Sequence, residues 1–283
     1  MEYFNINAFY LGVLFFACQF LSNVIYSLIC LIWKIKIVEF SLFANFWYVL
    51  HKEKILGAEF ILGWLPTGSH IKPLGMFTNK EERAKINPSD LPYAFFNKPK
   101  YLQKVFRFVP WTIYLGAALI SILIISTSSF ASEISSISNY IIEAISTMFS
   151  DSIQVREDFI KITSLIVNSK NIVIFAFAIL LIIMMLLKPT SLIMNWFSAN
   201  VKKNKLQKAL GFIVTIVIIW FIIWKIPRFI FSFFSFSQSL VYFGSFLVGM
   251  FSVGLVCFFT TLFVVKNTSQ NLNDNKVKWQ EKL

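Results

Sequence analysis

A chain of 283 residues that is 57% apolar, carries 33 phenylalanines and is only 14% charged cannot cover itself with polar surface as a soluble globule. It calls instead for several membrane spans, each of roughly 20 apolar residues. The net charge of +12 raises nucleic acid as a partner, but the lysines and arginines fall between apolar runs. That distribution points to membrane orientation and lipid contact and away from nucleic acid.

The first run, about Phe9–Trp33 within residues 1–33, is too long for a signal-peptide core and is closed by no small-residue cleavage site, so it reads as the first transmembrane helix. Residues 34–105 change character. Between Ile37 and Phe77, β-branched and aromatic residues are punctuated by Gly57, Gly63, Pro66, Gly68, Pro73 and Gly75, a pattern of short strands and turns. A further span over Ile37–Leu50 is too short and is interrupted by Glu39 and Asn45. A β-rich, membrane-associated insertion is expected there. Residues 106–126 form the second span.

Residues 127–170 carry Ile134, Ile137, Ile141, Ile145 and Met148 at three- and four-residue steps among Ser, Glu and Asn, the mark of an amphipathic helix. Residues 171–265 hold three more spans, about Asn171–Leu187, Ala209–Trp224 and Leu240–Val265. Residues 266–283 are a polar tail, expected to be disordered. Cys18, Cys30 and Cys257 all lie inside apolar runs and read as packing residues.

Loop charge sets the orientation. Lys34–Arg107 holds twelve basic residues and Lys188–Lys208 five with no acid, whereas Thr127–Lys170 holds three basic and five acidic residues. The first two segments are expected inside and the third outside, with the N-terminus outside and the C-terminus inside. Lys225 and Arg228, on the outer side beside Pro227, are the exceptions; snorkelling accommodates them. The fold class is a polytopic α-helical membrane protein with about five transmembrane helices and a small cytoplasmic β-rich insertion.

Two segments carry a resemblance. Leu65-Pro66-x-Gly68-x-x-Ile71-Lys72-x-x-Gly75 is followed about twenty residues later by Phe96-Asn97-Lys98-Pro99, and Lys36–Phe43 reads KIVEFSLF. Together they resemble, in order and approximate spacing, the LPLGGYVKxxG, FxxKPxWQR and KVExFSIGF segments of the site-2 protease family. These are intramembrane zinc metalloproteases of the regulator of sigma-E protease type. The resemblance implies a bacterial inner-membrane protein whose insertion lies near the position of the active site.

The chemistry of that family needs His-Glu-x-x-His on the first span, with the histidines on zinc and the Glu activating a water. Counting back from Lys36–Phe43 places Ser22, Asn23 and Tyr26 at those three positions, and none is a competent ligand or base. The later aspartate ligand is also absent: Leu186-Leu187-Lys188-Pro189-Thr190-Ser191-Leu192 has no Asp, and Asn195 is only a loose positional echo. Val109-Pro110 stands where the family has Gly-Pro. The family's PDZ domain has no room in residues 127–170. His51 and His70, with Glu53 and Glu59 nearby, have no metal-ligand spacing and read as structural.

Gln19, Ser22, Asn23 and Tyr26 share one face of the first helix. Such a stripe faces the bundle or a partner, because facing lipid is costly. It reads either as interhelical hydrogen bonding left from a former active site or as a groove for a client helix. The expected binding residues are therefore Gln19, Ser22, Asn23 and Tyr26, joined through the resemblance by Gly68 and Lys72. No catalytic residue, metal or cofactor is expected.

The resulting expectation is a catalytically inactive site-2-protease-like membrane protein that binds or scaffolds a transmembrane client or complex subunit within the lipid bilayer. Two alternatives stand beside it. One is an active zinc metalloprotease with displaced ligands; the other is an unrelated structural subunit of a membrane complex.

Overall fold

The fold is taken from a computed structural model, which describes residues 3–55, 57–76, 83–125, 130–150, 153–167, 172–198, 213, 216, 217 and 220–280. Helix α1 (Ile6–Ile32) is followed by two long strands, β1 (Ile37–Ile55) and β2 (Ala58–Pro73). Two 3-10 turns, Pro88–Tyr93 and Phe95–Asn97, lead into α2 (Lys100–Ile125). Then come α3 (Phe130–Phe149), α4 (Ile153–Val167), α5 (Ile172–Ser198), a π-helical turn Phe221–Lys225, α6 (Ile226–Phe233) and α7 (Phe236–Gln280). Among the described residues, three helical segments are long and apolar enough to cross a membrane: Ile6–Ile32, Lys100–Ile125 and Phe236–Thr268. Ile172–Met185 is a shorter apolar helix, and the expected span Ala209–Trp224 lies largely outside the described residues.

The described chain is thus mainly helical with a small β insertion, but several boundaries differ from the sequence reading. Helix α2 begins at Lys100, inside the expected insertion: Pro99 suits the position just ahead of a helix, and Pro110 lies within the helix without ending it. Helix α5 runs through Pro189 to Ser198, where a loop was expected after Leu187. Helix α7 continues through Lys266 to Gln280 in place of a disordered tail; no Gly or Pro follows Gly254 to stop it. The segment 127–170 contains two helices, and α4 was not foreseen.

The molecule divides into two compact units. One comprises Met1–Leu11 and Tyr114–Ser245. Its core is built by Ile122, Ile137, Phe175 and Ala178, so the expected amphipathic face of α3 does pack, through Ile137. A second cluster surrounds Phe159, whose ring meets those of Tyr140, Phe229 and Phe233. Burial raises the Tyr140 hydroxyl above the ordinary tyrosine value.

Lys225, one of the two cations expected on the outer side, is held by contacts within this unit. Its ammonium donates to the Met148 carbonyl at 3.3 Å, in the last turn of α3, and sits over the rings of Phe149 and Trp220 at 5.3 and 5.5 Å. A helix C-terminus is electronegative and aromatic faces attract cations, so both contacts hold the ammonium in place. Asn5 caps α1, accepting from the Ala8 amide, while its own amide donates to the buried Ser245 hydroxyl.

The other unit comprises Gly12–Ile113 and Phe246–Leu283 and holds the sheet. Around Gly57 (φ +82°) the strands form a tight antiparallel hairpin, with Ile55 opposite Ala58 and His51 opposite Leu62. Farther out the hairpin is bent double. Leu42 faces both Ser69 and Leu62, and Phe40 faces both Ile71 and Phe60. The sequence signals of strand and turn located the sheet; the double pairing converts two strands of 19 and 16 residues into a compact block.

The bend lies at Phe43, a buried non-glycine residue at φ +66°. Left-handed backbone costs about 1–2 kcal/mol for such a residue. Its ring packs against Phe16 and Phe251 at 5.4 Å each, and aromatic pairs contribute about 0.5–1.5 kcal/mol apiece, enough to offset the strain.

Helix α1 ends in a Schellman turn. The Ile35 amide donates to the Cys30 carbonyl at 2.7 Å and the Lys34 amide to that of Leu31 at 3.1 Å, with buried Ile35 and Cys30 as the apolar partners. The left-handed position belongs to Lys34 (φ 52°) where glycine is usual. Replacing Lys34 by Gly is expected to raise stability by about 0.5–1 kcal/mol, read as a higher midpoint of thermal unfolding in detergent. A lower midpoint would show that the lysine side chain contributes more than its backbone costs.

Candidate functional site

The polar stripe of α1 lies entirely in the sheet-bearing unit, and β2 is what covers it. Gln19, Ser22 and Tyr26 are buried, and Asn23 is half-buried. The Asn23 carboxamide donates to the Ser69 hydroxyl, and the Tyr26 hydroxyl lies 3.9 Å from the Met76 sulfur. Gly68, at φ +126°, brings its backbone so close to Gln19 that a Cβ there would run into the Gln19 carboxamide. The stripe is therefore met by a strand of its own chain. Tyr26 also packs against Phe106 of α2, the rings tilted and their centroids 3.9 Å apart.

Of the six residues singled out for binding, Gln19 and Gly68 touch, and Ser22, Asn23 and Tyr26 line the same joint. Lys72 does not join them: it is exposed on β2, in backbone register opposite Glu39, whose carboxylate meets His70. Ser69 and Met76 are the partners the sequence reading missed. Strand β2 and the turn after it, far away in sequence, supply them, so no local periodicity in α1 could have named them.

The two motif halves meet. A Cβ on Gly75 (φ +75°) would press on the Phe96 ring, and the Phe95 amide donates to the Leu74 carbonyl at 2.8 Å. Arg83 stacks over the other motif ring, Phe96, at 4.8 Å. In Phe96-Asn97-Lys98-Pro99 the polar side chains close the preceding 3-10 turn. Asn97 donates to the Leu91 carbonyl at 2.8 Å and Lys98 to that of Pro92 at 3.0 Å. Lys36 is held by Asp90 at 2.8 Å. The chemistry of this motif is thus that of a loop cap. Pro110, of Val109-Pro110, sits inside α2.

The histidines lie in separate pairs. His70 is 3.2 Å from Glu39, and His51 is 3.5 Å from Glu53 with its ring edge-on to Phe258. Glu53 also takes a 2.9 Å ion pair from Lys266 of α7, and chiefly that hydrogen bond holds its carboxyl below the ordinary range. Glu59 pairs with Lys52. Among the described residues no three His, Cys, Asp or Glu side chains gather as a metal site would need. The backbone of 186–192 and of Asn195 is helical, while their side chains lie outside what is described.

No protein-family model and no curated protein matches this sequence. The reading of the site accordingly rests on its residues and their contacts.

Proposed function

We propose that this chain is a catalytically inactive, site-2-protease-like membrane protein that holds a transmembrane client or complex subunit. It would cross a bacterial inner membrane five times, N-terminus outside and C-terminus inside, as loop charge favours. The observation that carries the reading is the occupancy of α1 at the positions of a zinc helix. Ser22, Asn23 and Tyr26 stand there, and the face they form is engaged by β2, with Asn23 bonded to Ser69. An amide, a hydroxyl and a phenol offer neither zinc ligands nor a general base at neutral pH, and side chains bound to a strand of the same chain are not poised around a water. The contact between Gly75 and Phe96 supports the resemblance, because it explains why both motif halves occur in one chain. A scaffold is the role left to a protease frame whose catalytic groups are gone, and it is argued by analogy.

Two measurements test this. The detergent-purified protein is expected to carry no stoichiometric zinc, before or after treatment with a chelator. One zinc per chain would overturn the inactive reading and direct attention to the His51–Glu53 and His70–Glu39 pairs. Crosslinking in native membranes is expected to give a discrete complex heavier than the 32.8 kDa chain. A monomer alone would overturn the scaffold.

A further inference from the structure

The charges of residues 34–104, from the end of α1 into the first turns of α2, do not balance within that stretch. Its four described carboxylates are all engaged: Glu39 with His70, Glu53 with Lys266, Glu59 with Lys52 and Asp90 with Lys36. Lys34, Lys54, Lys72, Lys85, Lys100 and Lys104 are exposed and have no carboxylate partner among the described residues. Unmatched surface cations repel one another unless an outside anion joins them.

Three of the six have an apolar setting. Lys34 follows Leu31 and Ile32, which are 70% and 74% exposed. Lys100 and Lys104 are one helical turn apart on α2, interleaved with exposed Tyr101, Val105 and Phe108. Trp33 lies against Phe106 with ring centroids 6.0 Å apart, which sets the end of α1 beside the first turns of α2. The three cations therefore stand where exposed apolar helix surface begins.

We infer that Lys34, Lys100 and Lys104 form a binding surface for the headgroup of an anionic phospholipid, whose acyl chains lie on the exposed apolar residues beside them. Nucleic acid or an acidic protein would match the charge but not the apolar neighbours. A phospholipid matches both, with its phosphate on the ammonium groups and its tails on Leu31, Ile32, Val105 and Phe108. This rests on the reading that α1 and α2 cross a membrane.

The test is retention of lipid by the full chain extracted from bilayers that mix phosphatidylglycerol with phosphatidylcholine, quantified by mass spectrometry. Phosphatidylglycerol is expected to be enriched, and soluble glycerophosphate is expected not to displace it. Each of Lys34→Gln, Lys100→Gln and Lys104→Gln is expected to lower the anionic-to-neutral ratio about fivefold, while the Lys→Arg variants retain it. Lys161→Gln, in α4, serves as the control and leaves the ratio unchanged. Equal retention of the two lipids, an unchanged ratio in the triple Gln variant, or displacement by glycerophosphate or an oligonucleotide would each overturn the inference. Circular dichroism of each variant in detergent separates loss of lipid preference from loss of fold. A chain that inserts but shows no preference removes only this inference, whereas a chain that fails to insert removes the membrane reading itself.

Discussion

Gly12→Val is expected to abolish the folded state of the sheet-bearing unit, or to leave it so weakened that it unfolds during detergent extraction. Gly12 lies where α1 meets α7, and a Cβ there would strike the Phe246 carbonyl and crowd the Met250 amide. These are backbone atoms, so no rotamer change relieves the contact and the two helices must move apart. Overpacking typically costs about 1–3 kcal/mol when side chains can give way, and more is expected when they cannot. Separation would also disturb the neighbouring contact of Phe15 with Phe246. In membranes, close approach over small residues replaces the hydrophobic drive as the source of helix association, so little else restores the pair. The check is the fraction of monodisperse protein after extraction and its unfolding midpoint, with Gly116→Val, a position with open space around it, as the control. Equal behaviour of the two variants would disprove the tight crossing.

Gly68→Val should destabilise by at least about 2 kcal/mol for two independent reasons. Backbone at φ +126° is close to glycine-only and costs about 1–3 kcal/mol for a residue with a Cβ, and that Cβ would enter the space of the Gln19 carboxamide. Adding Gln19→Ala should recover the steric part and leave the backbone part, so the double variant falls between wild type and Gly68→Val. Lys72→Ala, an exposed position in the same motif, should change stability by less than about 0.5 kcal/mol. Chemical denaturation of the three variants decides this. Tolerance of Gly68→Val would mean that the strand does not rest on α1, and the account of the polar stripe would go with it.

The sequence exposed the parts of this molecule that local pattern controls. Long apolar runs located α1, α2 and α7 because membrane helices satisfy their own backbone and need only length. Three- and four-residue spacing placed Gln19, Ser22, Asn23 and Tyr26 on one face. What that face touches was not legible, because Ser69 is 46 residues beyond Asn23 and strand pairing is non-local. Glycines announced turns at Gly57 and Gly75 but not the second register that brings Phe40 against Phe60. Helix α4 was hidden because Arg156, Glu157, Asp158 and Lys161 interrupt its apolar positions. The end of α7 was hidden because Asn and Lys suggest disorder, although nothing there breaks a helix.

That unbroken helix has a mechanical consequence. The 33 residues of Phe236–Thr268 measure about 50 Å at 1.5 Å each, well beyond the roughly 30 Å hydrocarbon layer. A continuous helix of that length would overhang such a layer. Lys266, near the end of that stretch, is tied to Glu53 of β1 by a 2.9 Å ion pair. The sheet is thus fastened to this one helix at two levels, by the ion pair and by the stacked rings of Phe43 and Phe251.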